Sequence, residues 1–209
     1  TFSAPQVYLN GATYQGATSI TKSSSGNNQS LGGNTFNGAT AIIGTGSGDF
    51  ILGVSNPDSF NSTVEFSNSG SGTVFVAHVA SGTTLADDIE VNSTGSSKGV
   101  RFGQSGGTST LASGKTLSIG GSGFSAGSLR LRGFTQSGST AQSLSVTTGT
   151  AALYLETGTT FNGAVTFEFP QVYMSGSTFA STASITKGGA TDNSGSGGCT
   201  FSSTATIVN

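Results

Sequence analysis

The chain has 209 residues, 34 of them Gly, and Asp, Glu, Lys and Arg make up only 8% of it, against roughly a quarter in an ordinary globular domain. With a net charge of −2 no basic surface for nucleic acid or anionic lipid is expected, and no apolar run reaches the length of a membrane span, so neither nucleic-acid binding nor membrane insertion is expected. A hydrophobic content of 33% would be compatible with disorder, but the 14 Phe and the Val, Ile and Leu recur in pattern.

Taken in chain order, that pattern is two alternating families of short apolar–polar–apolar triplets. The first, strand A, runs Thr18-Ser19-Ile20, Thr40-Ala41-Ile42, Val64-Glu65-Phe66, Ile89-Glu90-Val91, Leu117-Ser118-Ile119, Leu144-Ser145-Val146, Val165-Thr166-Phe167, Ala183-Ser184-Ile185 and Ala205-Thr206-Ile207. Most of these follow an aromatic residue or Leu four positions earlier, from Tyr14, Phe36, Phe60 and Leu85 to Phe161, Phe179 and Phe201. The second, strand B, lies between them as Val7-Tyr8-Leu9, Phe50-Ile51-Leu52, Val74-Phe75-Val76, Val100-Arg101-Phe102, Leu129-Arg130-Leu131, Leu153-Tyr154-Leu155 and Val172-Tyr173-Met174. One strand B unit is degenerate, around Leu31, and its counterpart near Gly195 has no apolar residue. Period-two alternation means strand with one face buried, and no helical spacing or cap occurs. Gly, Ser and Asn fill the connections, as turns require.

A longer period encloses the short one. Residues 1–44 match residues 166–209 without a gap, with 18 identities in 44 positions at an offset of 165, including Pro5-Gln6-Val7-Tyr8 against Pro170-Gln171-Val172-Tyr173. The chain therefore reads as one full period, 1–165, and the start of the next, 166–209, in a segment of a longer array. Seven A–B units fill the period at about 24 residues each. Antiparallel sandwich and parallel β-solenoid both accommodate many short strands. Stacked coils, however, place equivalent residues in columns about 4.8 Å apart, so each column keeps one chemical type. The end of strand A does so, with Ile, Ile, Phe, Val, Ile, Val, Phe, Ile, Ile. The expected fold is all-β, a parallel β-solenoid (β-helix) of about 24 residues per coil and about 40 Å long for eight coils, with Gly120–Gly127 bulging out as a loop. Uncapped sheet ends imply continuation in both directions.

Little in the chain carries catalytic chemistry. His78 is the single histidine and has no Ser or Asp motif beside it. Asp87-Asp88 reads as a solvated turn rather than a glycosidase pair or a calcium site. Cys199 replaces Asn34 of the matching repeat and reads as a small filler. Asn28, Asn61 and Asn92 open glycosylation triplets that a Ser/Thr-rich chain produces by chance. No cofactor or metal is called for, and the chain reads as a non-enzyme.

The outward column of strand B is the candidate contact surface: Tyr8, Ile51, Phe75, Arg101, Arg130, Tyr154 and Tyr173, a stripe of interface-type residues on a Ser/Thr-covered rod. Glu65 and Glu90 stack as like charges in the outward column of strand A, as Arg101 and Arg130 do in strand B. Face A of one chain meeting face B of a neighbour would neutralise both and build a bundle of parallel rods.

Phrases such as Thr160-Phe161-Asn162-Gly163-Ala164-Val165-Thr166-Phe167, Ser59-Phe60-Asn61-Ser62-Thr63-Val64, Val91-Asn92-Ser93-Thr94-Gly95-Ser96-Ser97 and Leu111-Ala112-Ser113-Gly114-Lys115-Thr116 give the whole chain a family likeness. It resembles the giant repetitive extracellular surface proteins of gliding and predatory Gram-negative bacteria, adhesin or filament in type and exported by type 9 secretion. The resemblance implies a secreted, cell-surface location and a role in attachment to surfaces or prey. The expected function is the structural shaft of such a filament or adhesin, its partners being other copies side by side and end to end. The alternative is a glycan-binding module using the aromatic stripe on cell-surface glycans. A polysaccharide-degrading enzyme is the weakest reading, because no cluster of acids and bases is present.

Overall fold

The computed structural model describes residues 1–95, 98–191 and 195–209. Among these the chain is all-β and contains no helix, and every strand ladder and isolated bridge is parallel. The coils stack as a β-solenoid, seven steps separating Ile20 from Ile185 in the strand A column.

Each coil has three strands, not two. The Phe, Tyr and Leu ahead of strand A belong to a third, two- to five-residue strand, here strand C, whose nine rows run from Thr13–Tyr14 to Thr200–Phe201. Two residues such as Thr-Phe are too short for alternation to register, so this face reads from sequence only as an announcement of strand A. Its rings stack in files at close to the coil spacing: Tyr14 on Phe36 at 4.8 Å, Phe36 on Phe60 at 4.7 Å and Phe179 on Phe201 at 4.9 Å. The alternating inward residues of the three faces fill one continuous core, in which Phe66 meets Phe60 and Phe102 edge to face at 5.4 and 5.5 Å.

The strand A face is interrupted once. Six rows end at Leu117–Phe124 and four more begin at Gln142–Ser145. In Leu117–Phe124 the residues between Ile119 and Phe124 extrude as a bulge: Ile119 pairs with Val91 and Phe124 with Ser93, so five steps lie opposite two. Gly121 and Ser122 are exposed, and Phe124 returns to the core. The following row is set two residues earlier than the triplet Leu144-Ser145-Val146 suggests. Gln142 pairs with Val165 and Leu144 with Phe167. Gln142, buried, bridges the interruption with its side chain: Oε1 accepts from the Leu117 amide at 2.7 Å and Nε2 donates to the Lys115 carbonyl at 3.1 Å. A polar residue in an apolar slot hides the register from hydropathy.

The same substitution explains the degenerate strand B row. Its strand is Asn28–Gln29, paired with Phe50–Ile51, whereas Leu31 is 44% exposed. Asn28 Nδ2 donates to the Val7 carbonyl and Ser30 Oγ accepts from the Leu9 amide at 3.0 Å, so side chains replace backbone pairing to the first coil. Beside strand C runs a buried polar file. Asn34 Oδ1 accepts from the Ala12 amide at 3.1 Å, and the Asn34 amide and Nδ2 donate to Asp58 Oδ1 at 2.9 and 2.8 Å. Burial pushes the Asp58 carboxyl above its usual range, and the two hydrogen bonds from Asn34 oppose that shift. Cys199 stands in the last coil at the position matching Asn34 and is half-buried.

Candidate functional site

Register settles which side chains share the outer face of strand B. Gln29, Ile51, Phe75, Arg101, Arg130, Tyr154 and Tyr173 form one file, each opposite the next. Tyr8 lies on the coil before them and is 63% exposed. The middle of the file is not exposed. Ile51 retains 5% and Phe75 8% of their surface, and the His78 ring stands edge-on to Phe75 at 5.0 Å. The continuous apolar stripe expected from sequence therefore reduces to Tyr8 at one flank and the Arg–Tyr group at the other. The reason is local: the chain turns at Ala77, a non-glycine residue with φ of 52°, and brings His78 back beside the file. Burial pulls the His78 pKa below its usual value, and the nearby Arg101 adds to the shift.

At the second flank, six outward positions on four successive coils converge: Arg101, Arg130, Arg132, Tyr154, Glu156 and Tyr173. Leu129 and Leu131 point in, so Arg130 points out and alternation carries Arg132 out after it; Leu153 and Leu155 do the same for Tyr154 and Glu156. Glu156 Oε1 accepts from Arg130 Nη1 at 3.0 Å and Oε2 from Arg101 Nη2 at 3.3 Å. Arg101 Nε also donates to the Gly103 carbonyl at 3.1 Å. The Arg130 guanidinium lies 3.8 Å from the Tyr154 ring centre, and Tyr154 stacks on Tyr173 at 4.3 Å with planes 6° apart. These groups line a groove of about 370 Å³. Burial lowers the Arg101 pKa, Glu156 opposes that shift, and the two neighbouring arginines reinforce it.

This geometry removes one argument for lateral pairing. Arg101 and Arg130 are adjacent, as expected, but their counter-charge is Glu156 of the same chain rather than the Glu65 and Glu90 of a neighbour. The sequence signal for Glu156 was present: it sits two residues past Tyr154, on the same side of an alternating strand, outside the triplet but inside its period. Glu65 and Glu90 are adjacent on face A, and Asn92, 2% exposed, donates from Nδ2 to Glu65 Oε1 at 2.8 Å. They lie with Ser19, Ala41 and Ser118 along a shallow groove of about 700 Å³.

Asp87 and Asp88 bind the next coil instead of forming a free turn. Lys115 Nζ is 2.6 Å from Asp87 Oδ1, and Asp88 Oδ1 accepts from the Thr116 amide at 2.7 Å and hydroxyl at 2.9 Å. Of the three glycosylation triplets, Asn28 and Asn92 are buried, whereas Asn61 is exposed and donates to Asn37 Oδ1 at 2.8 Å. Among the described residues, no three His, Cys, Asp or Glu side chains are grouped to hold a metal ion. No family model matches the chain, and no curated protein or solved structure does either.

Proposed function

We propose that this chain is the structural shaft of a secreted bacterial cell-surface filament or adhesin, a non-enzymatic rod built from its own coils end to end and from several chains side by side. The observation that supports the reading is the uninterrupted stacking of like coils: Ile20, Ile42, Phe66 and Val91 follow one another in one column, all fully buried, and the pattern of the first coils starts again at residue 166. A repeat in which each coil rests only on its neighbours extends by adding coils. Extracellular display and attachment to surfaces or prey follow from the family resemblance.

Electron microscopy of the native assembly tests this reading. It predicts continuous thin fibres containing parallel rods, with coils stacked along the fibre axis. Isolated globular particles on the producing cells would overturn it.

A second reading, a module that binds glycans, is favoured by the accessible Tyr154–Tyr173 pair beside charged donors. Aromatic faces and forked guanidinium donors suit sugar rings and their substituents.

A further inference from the structure

All three arginines of the chain, Arg101, Arg130 and Arg132, line one groove. This is a concentration of charge in a protein with only 7 Lys and Arg among 209 residues. Among the described residues lining that groove, Glu156 is the one carboxylate against three guanidinium groups. Two of the guanidinium groups already hold a carboxylate, that of Glu156, one oxygen each. The third, Arg132, is exposed and forms no ion pair with a described residue. Beside it, Tyr154 occupies one face of the Tyr173 ring, and Tyr173 lines the groove together with Gly195 and Ser196.

We infer that this groove binds an acidic polysaccharide, with Arg132 and the outer donors of Arg130 taking a carboxylate or sulfate group and Tyr173 supporting the adjoining sugar ring. Guanidinium forks match planar carboxylate and sulfate oxygens in pairs, so the anionic substituent fixes orientation. The ring supplies apolar contact that a free anion cannot use. Glu156 occupies part of the same donor set and competes with the incoming group. The inference rests on the glycan-binding reading and narrows it to acidic glycans; a rod without glycan affinity would leave the shaft reading intact.

The test measures binding of the whole chain to polygalacturonate and dextran sulfate, with neutral dextran and inorganic sulfate as comparison arms, at several salt concentrations. Both acidic polymers should bind, more weakly as salt rises, while neutral dextran and sulfate ion bind at least tenfold more weakly. Arg132→Gln removes no ion pair to a described residue and should keep the fold, verified by an unchanged melting midpoint; it should lower affinity for the acidic polymers at least threefold and flatten the salt dependence. Glu156→Gln should raise affinity at least threefold by removing the competing carboxylate. Equal affinity for neutral dextran would overturn the acidic inference but not the glycan reading, and no binding to any polymer would overturn both. Sulfate ion binding as tightly as a sulfated polymer would mark a simple anion site and contradict the polysaccharide. If Arg132→Gln leaves polymer binding untouched but changes self-association, the groove is a contact between copies of this chain and the inference fails.

Discussion

Gly70→Ala should destabilise the protein by about 3 kcal/mol or more, although it adds one methyl group at an unstrained backbone position. Gly70 follows strand A at the corner toward strand B, directly above Gly46 of the preceding coil. A Cβ there would lie 2.0 Å from the Gly46 carbonyl oxygen and 2.6 Å from the Thr45 carbonyl carbon. Both obstacles are backbone, so no rotamer change relieves them, and the coils must separate where their hydrogen bonds hold them at about 4.8 Å. Gly46 stands in the same relation to Ser24, and Gly95 to Gly70, at 2.1 and 1.9 Å. The corner is thus a file of close backbone approaches that one methyl interrupts. Gly121→Ala is the matched control: nothing lies within 4 Å of its Cβ, and the change should stay within about 0.5 kcal/mol. Urea unfolding of the two variants checks the pair, and equal midpoints would contradict in-register stacking at this corner.

Phe66→Ala should cost about 3–5 kcal/mol, the range for removing a buried aromatic ring and leaving a cavity. Phe66 is 0% exposed and joins two faces of the rod through its edge contacts with Phe60 and Phe102. In a stacked repeat each coil rests only on its neighbours, so stability is close to a sum of coil and interface contributions. The loss therefore weakens one junction, and the coils on either side should begin to unfold separately. Circular dichroism against denaturant should show the transition broaden or split, with a smaller slope than the parent. The exposed Phe2→Ala should leave the midpoint nearly unchanged. A single transition shifted intact by the Phe66 change would argue for global rather than neighbour-by-neighbour cooperativity.

The stacking direction, the strand A and strand B files and the seven-coil period were legible because like residues recur where coils superpose. Ile20, Ile42, Phe66 and Val91 share one column in the sequence and in space. The extrusion expected over Gly120–Gly127 was legible from its glycine content and the length between triplets, but it is shorter, because Phe124 is already back in the core. Strand C was not, because a two-residue strand such as Thr35–Phe36 has no period to detect. Rows in which Gln142 or Asn28 takes an apolar slot were misregistered, since only the side-chain hydrogen bonds to the preceding coil reveal them. The candidate site was half legible. Alternation placed Arg101, Arg130, Tyr154 and Tyr173 in one file, but covering of Phe75 by His78 depends on a turn at Ala77 that no pattern encodes. Arg132 and Glu156 were missed because the alternation was followed for three residues rather than five.

Stacking along a single axis is the property from which the side-chain files and the charged flank both derive. Solution X-ray scattering on the chain lengthened by a second copy of residues 45–209 measures it most directly. Seven added coils at about 4.8 Å each should lengthen the particle by about 34 Å while its cross-sectional radius stays constant. An unchanged length with a thicker cross-section would mean that the added period folds back beside the first, and the stacked-coil account would be wrong.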